Sequence, residues 1–440
     1  MTTAPTSSKS GLTAQLTQLA WPLMLSNLAY SMIGVTDTLF MGRLGEVEVG
    51  AVGLGWMYAF TLTLLFRSYT NSVTTFVARA FGANQPQDMR KWYGVYFTLT
   101  LLLAVFIMLA GQPLLNLIVQ ASNPDPELAK ALLTYARIRL WETPFALLVI
   151  LNVGYFLGVG NSRVPLMLSW FTVLLNAGLA YVFIFHFGWG VAGAGWGAFI
   201  AVVVQCLISF ALIFHLHGRM RPLWPSWKDT LRTFKLGIPM GLADLSEVAG
   251  FAVFMTIISR LGTLELAASQ IANQMASFGF MPAFALSAAT GSLVSRYMGE
   301  KNVPTAQKVG WRGTILGGSF MTLVALAFIF VPVPLVKLFT SDPELIALCV
   351  TIMRVMALYQ VVDGIAIILG GALSGAGDTR FRMMVTVIGS WTLLVLPAYL
   401  LTENGYGVQG AWTGALIYIA SIALIYLWRF WSGRWKTKTL

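Results

Sequence analysis

Long apolar stretches run through the chain, separated by short polar breaks. Windows of spanning length fall at 14–41, 49–78, 93–119, 131–158, 164–185, 191–214, 236–259, 267–294, 314–336, 345–373, 383–402 and 408–428. A bilayer core takes about 20 apolar residues per helical crossing, so the pattern predicts twelve transmembrane helices. Apolar and polar positions do not alternate with period two in segments of about 10 residues, as a membrane β-barrel would require. The Gly and Pro scattered through these windows are compatible with spanning helices, where neighbouring groups re-satisfy freed backbone atoms.

The pattern repeats. At a constant offset of 217 residues, Pro22 matches Pro239, Arg43-Leu44-Gly45 matches Arg260-Leu261-Gly262, and Asp125-Pro126-Glu127-Leu128 matches Asp342-Pro343-Glu344-Leu345. Arg79, Gly82, Arg137, Gly158, Gly160, Arg163 and Gly190 recur at the same offset as Arg296, Gly299, Arg354, Gly375, Gly377, Arg380 and Gly407. Each unit holds six spans, an even number, so both enter the membrane in the same sense, a parallel repeat about an axis along the membrane normal. The predicted fold is therefore all-α: a polytopic membrane protein with twelve transmembrane helices in two pseudo-symmetric six-helix lobes. The expected organisation is a first lobe at 1–217, a cytoplasmic linker at 218–235 with Arg219, Arg221, Pro222, Pro225 and Lys228, and a second lobe at 236–440. In repeat architectures of this kind the substrate cavity lies near mid-membrane where the repeats meet.

Composition sharpens this picture. Of 440 residues 57% are hydrophobic and only 10% are charged, against roughly 25% charged in soluble domains. No polar stretch is long enough for a soluble domain. The net charge of +11 reads as loop Lys and Arg fixing topology rather than as a nucleic-acid surface. The N-terminus, every second loop and the C-terminus hold 20 Lys and Arg, the alternate loops only Arg43, Lys130, Arg260 and Lys337. This bias puts both termini in the cytoplasm. Met1 to Gly11 lacks the cleavage site of a removable signal peptide. Cys206 and Cys349 sit in apolar runs, so neither a disulfide framework nor a metal cluster is expected.

Nine charged residues fall inside the windows: Asp37, Arg67, Arg137, Arg139, Glu142, Asp244, Glu247, Arg354 and Asp363. Each costs about 2.5–3.5 kcal/mol at a helix centre on insertion scales, so each needs a partner, an aqueous cavity or a task. Arg137 and Arg354 recur in both repeats and read as structural, bonding helix ends or carbonyls. Glu142 follows Arg139 by three residues on one helical face and is expected to pair with it. Asp37, Asp244, Glu247 and Asp363 have no cation within a helical turn, and the repeat replaces them by Phe254, Asn27, Tyr30 and Ala146. Asp244 and Glu247 lie three apart on one helix, so one would hold a proton or a cation would sit between them. With Asp363 they form a carboxylate cluster, chemically a site for a cation or proton, with substrate anchoring or plain hydrogen bonding as the weaker readings. Asp37 stands about 22 Å along its helix from Pro22, which either permits a kink responsive to Asp37 or marks a helix start. For a hydrophobic, cationic guest, Tyr30, Phe254, Phe280 and Tyr359 offer ring faces. The amides Asn176, Gln270, Asn273 and Gln274 are costly to leave unsatisfied and are better site candidates.

Catalytic motifs are missing from the sequence. Gly193-Ala-Gly195-Trp-Gly197 follows no strand and reads as close helix packing. His186, His215 and His217 lie near helix ends without metal-ligand spacing, and no nucleophile elbow, Walker motif or zinc pattern occurs. An enzyme is not expected.

The segment Val35 to Gly45, Val-Thr-Asp-Thr-Leu-Phe-Met-Gly-Arg-Leu-Gly, together with Arg79-x-x-Gly82 and Gly375-Ala-Gly-Asp-Thr-Arg380, resembles recurring segments of the multidrug and toxic compound extrusion family, MATE, over essentially the whole chain. Asp37, Glu247 and Asp363 resemble its NorM-type pattern. Asn176 is followed four residues on by Ala180 rather than the Asp of the DinF-like branch, and the eighth window has no Tyr. The resemblance implies a cation site, Na+ or H+, at Glu247 and Asp363, with Asp37 as a further ion-responsive carboxylate and Gln270 as a polar contributor. It implies a monomeric antiporter in the bacterial inner membrane that exports small organic cations and hydrophobic drugs by alternating access, with no cofactor beyond the coupling ion and no nucleic-acid partner. A lipid or lipid-linked sugar flippase is the alternative, and it would favour basic rather than acidic residues in the lumen.

Overall fold

The computed structural model describes residues 11–218 and 220–438. Lys9, with the polar start of the chain, and Arg219 lie outside the described residues. Among these, regular structure is helical throughout, with no strand. In chain order the helices are α1 (Leu12–Met41), α2 (Glu46–Asn71), α3 (Val73–Gly82), α4 (Pro86–Ser122) and α5 (Pro126–Gly158). Then come α6 (Arg163–Tyr181), which runs into a wider π-turn at Val182–His186, α7 (Gly190–His217), α8 (Trp227–Ser259), α9 (Thr263–Gly299) and α10 (Val303–Phe330). The chain closes with α11 (Pro332–Val336), α12 (Pro343–Ala376), α13 (Thr379–Gly389), α14 (Leu396–Leu401) and α15 (Gly407–Trp431).

Ten helical segments are long and apolar enough to cross a membrane, where the sequence predicted twelve spans. Two local features account for the difference. α1 carries Gln15, Gln18, Asn27 and Asp37, which dilute its apolar character, and it is not among the ten. The last segment, Thr379–Trp431, runs 53 residues, far more than one crossing needs, and its backbone leaves helical geometry at Gly405, φ 87°. Leu102, Leu109 and Leu117 on α4 and Met167 and Leu174 on α6 face outward, the dress of a lipid-facing surface. The chain is a multi-pass membrane protein.

The sequence repeat recurs in the backbone. The left-handed residues Asn84, Gly160, Gly188 and Gly190 return as Lys301, Gly377, Gly405 and Gly407, each at the same offset. Asp125 caps α5 by accepting from Glu127 N at 2.9 Å, and Asp342 caps α12 by accepting from Glu344 N at 3.0 Å. In both, the following Pro takes the first helical position, where its missing N–H costs nothing.

The chain divides into two compact units, one of Leu25–Gly241 and one of Leu242 onward with α1 up to Met24. The division falls inside α1 and α8, at positions equivalent under the repeat and two residues beyond Pro22 and Pro239. Both prolines lie well inside their helices, so the helix-start reading of Pro22 is corrected. In the first unit α5 packs against α2, α3, α4 and α7. Met41, Val52, Tyr135, Ala180, Ile184, Val191 and Ala194 form one buried cluster there. The N-terminal half of α8 is tied in by Tyr69 Oη donating to Thr233 Oγ1 at 3.0 Å. In the second unit α12, the repeat equivalent of α5, packs against α9, α10 and α15. Gln15 on α1 accepts there from Tyr297 Oη at 2.8 Å.

Helices α9 and α12 meet through small residues. A Cβ on Gly375 would strike the Gly291 carbonyl, and one on Gly371 the Ser287 carbonyl at 2.5 Å. Ser287 Oγ in turn donates to Ile367 O at 2.7 Å. Gly375→Ala should therefore destabilise the protein by about 1–3 kcal/mol through overpacking, read as a lower melting temperature in detergent. Gly318→Ala, with no atom within 4 Å of the added carbon, should leave it unchanged or raised.

Candidate functional site

The charges inside the helices sort into those with partners and those without. In the first unit Arg139 donates to Glu142 across one turn of α5, as the spacing predicted. Arg67, on α2, places its guanidinium 5.5 Å from the Phe60 ring and within electrostatic range of both. Arg137 is exposed and donates to Asn116 Oδ1 at 3.0 Å. Its partner is thus a side-chain carbonyl oxygen on α4.

Asp37 lies on the same unit's half of α1, 3% exposed. Its Oδ1 has no hydrogen-bond partner, and Arg139 and Glu142 act on it only electrostatically. Asn176, on α6, is 1% exposed and both its amide atoms lack partners. Asp37 and Asn176 stand one turn before Met41 and Ala180, which share the buried cluster described above. Tyr30 is exposed, with Gln205 Nε2 donating to its hydroxyl at 2.9 Å.

The second unit corrects the expectation for Asp244. Its cation comes from another helix: Arg382 Nη2, on α13, donates to Asp244 Oδ1 at 2.7 Å. The sequence missed this partner because Arg382 stands just before the eleventh apolar window and counted among the loop charges. Glu247, one turn further along α8, is exposed and forms no ion pair among the described residues, and Arg382 and Asp244 are the charges that act on it. Asp363 on α12 is half-buried and also unpaired, and the charge that acts on it is Glu247. Glu247 and Asp363 are thus electrostatic neighbours.

The proposed guest-binding residues fare unequally. Tyr359 is 2% exposed, with Asp363 acting on it electrostatically, so it is not an open ring face. Phe254 is fully buried and packs edge-on to Trp412 at 5.1 Å, which makes it core. On α9, Gln270 and Gln274 are exposed, Asn273 is half-buried, and Phe280 is half-buried with its ring 6.4 Å from Phe284. Gln360, absent from the sequence reading, is fully buried with neither amide atom bonded. A polar residue one turn before an unpaired Asp363 was the signal for it. Among the described residues no group of three or more His, Cys, Asp or Glu converges on a metal site.

The Asp244–Arg382 pair makes a direct prediction. Arg382→Gln leaves Asp244 without its charge-assisted bond and should cost about 1.5–3 kcal/mol of stability. Arg382→Gln/Asp244→Asn should recover part of it, as a thermal-melting double-mutant cycle would measure.

Known proteins share both sequence and fold. The model of the MatE family matches residues 22–182 and again 239–400, two copies beginning at repeat-equivalent residues. The chain is 27% identical over 438 residues to the probable multidrug resistance protein NorM of Shewanella oneidensis, covering 96% of this chain and 95% of that one. It is 30% identical to the multidrug resistance protein NorM of Burkholderia vietnamiensis, covering 94% of this chain and 92% of that one. A solved outward-facing structure of a multidrug resistance MATE family transporter aligns with a TM-score of 0.90 over 98% of both chains at 19% identity, a likeness of fold.

Proposed function

The chain belongs to the MatE family, and on that premise we propose that it is a cation-coupled multidrug antiporter, exporting hydrophobic and cationic organic compounds in exchange for Na+ or H+. The observation that carries this reading is the acidic pair Glu247 and Asp363, which form no ion pair among the described residues, whereas Asp244 and Glu142, also within the apolar windows, have arginine partners. An unpaired carboxylate inside a membrane protein is expensive, and a mobile monovalent cation removes that cost only while it is bound. Coupling follows if the ion and the guest prefer different conformations, since a ligand shifts an equilibrium by its differential affinity alone.

Asp37 is the second responsive carboxylate in this reading, buried beside the Arg139–Glu142 pair on the far side of Pro22. The absence of a backbone N–H at Pro22 leaves α1 free to bend there, so loading Asp37 and bending α1 would be linked. Phe280, Asn273, Gln270 and Gln274 on α9 supply the guest with a ring face and amides, and Tyr359 and Asn176 bound the acidic sites. Twelve crossings complete the proposal, with α1 as the first and the break at Gly405 separating the last two, so that both termini face the cytoplasm of a bacterial inner membrane. The relatives named as multidrug resistance proteins and the acidic character of the unpaired residues both favour export of drugs over lipid flipping.

The test is ethidium efflux from vesicles holding the purified protein, under separate Na+ and pH gradients. Glu247→Gln and Asp363→Asn should each lower gradient-driven efflux roughly ten- to hundred-fold with the melting temperature retained. Asp37→Asn should slow efflux as well. Absence of gradient-driven movement of any cation tested, with variants equal to wild type, would overturn the reading.

A further inference from the structure

The chain from Arg221 to Ser226, just ahead of α8, is docked on α4. Leu223 N donates to the Gly94 carbonyl of α4 at 3.2 Å, and a Cβ on Gly94 would meet the Arg221 carbonyl and the Leu223 side chain. Ser226 caps the start of α8, accepting from Asp229 N at 3.1 Å and donating to Asp229 Oδ2 at 2.8 Å. Lys91 of α4 closes the arrangement with an ion pair to Asp229 Oδ1 at 2.8 Å. On α4, Asp88, Arg90 and Lys91 end the polar part, and the apolar run starts at Trp92 and Tyr93. The stretch from Arg221 to Asp229 therefore packs against the part of α4 where its polar start gives way to its apolar run, the boundary that in a spanning helix falls near the headgroups.

What it presents at that depth is specific. Trp224 and Trp227 are 82% and 80% exposed, more than any other tryptophan among the described residues. The first turns of α8 place Trp227 and Leu231 on one exposed stripe and Lys228, Arg232 and Lys235 on the stripe beside it, while Asp229 and Thr233 are buried. Arg221 is exposed as well, and the one acid of the stretch, Asp229, is already taken by Lys91. An indole with an apolar body and a polar N–H suits the boundary between headgroup and acyl chain. Clustered basic side chains at the same level attract anionic headgroups.

We propose that the segment from Arg221 to Lys235 is a binding surface for anionic phospholipid, with Trp224 and Trp227 seated at the headgroup–acyl boundary and Arg221, Lys228 and Arg232 on the lipid phosphates. A soluble protein partner would need these rings in water above the bilayer, and the Gly94 and Lys91 contacts hold them lower. The surface is independent of the acidic sites and of the transport reading.

The experiment uses the full chain in phosphatidylcholine vesicles carrying a minor fraction of brominated phosphatidylglycerol or of brominated phosphatidylcholine. The emission lost from wild type minus that lost from Trp224→Ser/Trp227→Ser is the share of the two rings. That share should be quenched roughly two-fold or more strongly by the anionic lipid, and Arg221→Gln/Lys228→Gln/Arg232→Gln should equalise the two lipids. Equal quenching in wild type, or quenching of this share by aqueous iodide and by neither lipid, overturns the proposal. The second result would point instead to a soluble partner. If the tryptophan variant does not fold, melting temperature carries the test. Phosphatidylglycerol should raise it in wild type and not in the basic-residue variant, and an equal rise in both overturns the surface.

Discussion

A bilayer core offers no water to a buried polar atom, so every N–H, C=O, hydroxyl and charge within it must be met by the protein or by something the protein binds. The backbone meets this demand by being helical wherever the chain is apolar. Hydroxyls meet it by turning back on their own helix: Thr63 donates to Ala59 O at 2.9 Å, Thr314 to Gly310 O at 2.9 Å and Thr290 to Leu286 O at 2.7 Å. Larger polar groups are chained together, as where Tyr93 Oη donates to Asn152 Oδ1 at 2.6 Å and Asn152 Nδ2 to Ser209 Oγ at 2.7 Å. Against that background of satisfaction the exceptions stand out. Asp37, Asn176 and Gln360 are among those that leave a buried polar atom without a hydrogen-bond partner, and the less buried Glu247 and Asp363 form no ion pair among the described residues.

The duplicated half of the design is scaffolding. Helix caps, left-handed turn residues and the prolines within α1 and α8 all return at one spacing, because each solves a local problem of chain direction that arises equally in both repeats. The chemistry is not duplicated. Arg139 and Glu142 have Met356 and Tyr359 at equivalent positions, Asp37 has Phe254, and Asp363 has Ala146. Where the second repeat has Phe254 in place of Asp37, the ring is buried against Trp412.

Much of this was legible in the sequence because its signals are local. Apolar windows fix where helices lie, Asp-Pro-Glu-Leu fixes where two of them start, and a spacing of three placed Glu142 beside Arg139. What escaped depends on contacts between distant residues. Arg382 is 138 positions from Asp244, and nothing near either residue announces the other. The windows also end before the helices do: α4 starts at Pro86 and α8 at Trp227, since a helix does not stop where its side chains turn polar. The docking of the following connection on α4 rests on backbone atoms at Gly94, which composition cannot reveal. Composition was equally blind to direction, so it ranked Phe254 with Phe280 although only one of them is buried in the core.

The arginine on α13 also explains how two carboxylates one turn apart can serve different ends. Left alone, Asp244 and Glu247 would act as one coupled group, sharing a proton or a cation and responding to the medium together. Arg382 breaks that symmetry by holding Asp244 in a direct pair, which commits Asp244 to structure and neutralises it as a competitor. Glu247 and Asp363 then remain as electrostatic neighbours, and on the proposed reading a cation shared between them, or a proton on one of them, is what would relieve their repulsion. Arg139 plays the same part for Glu142 beside Asp37. In each unit an arginine pairs with one carboxylate and leaves another without an ion pair among the described residues, and on the proposed reading those remaining carboxylates are the ones an ion would serve.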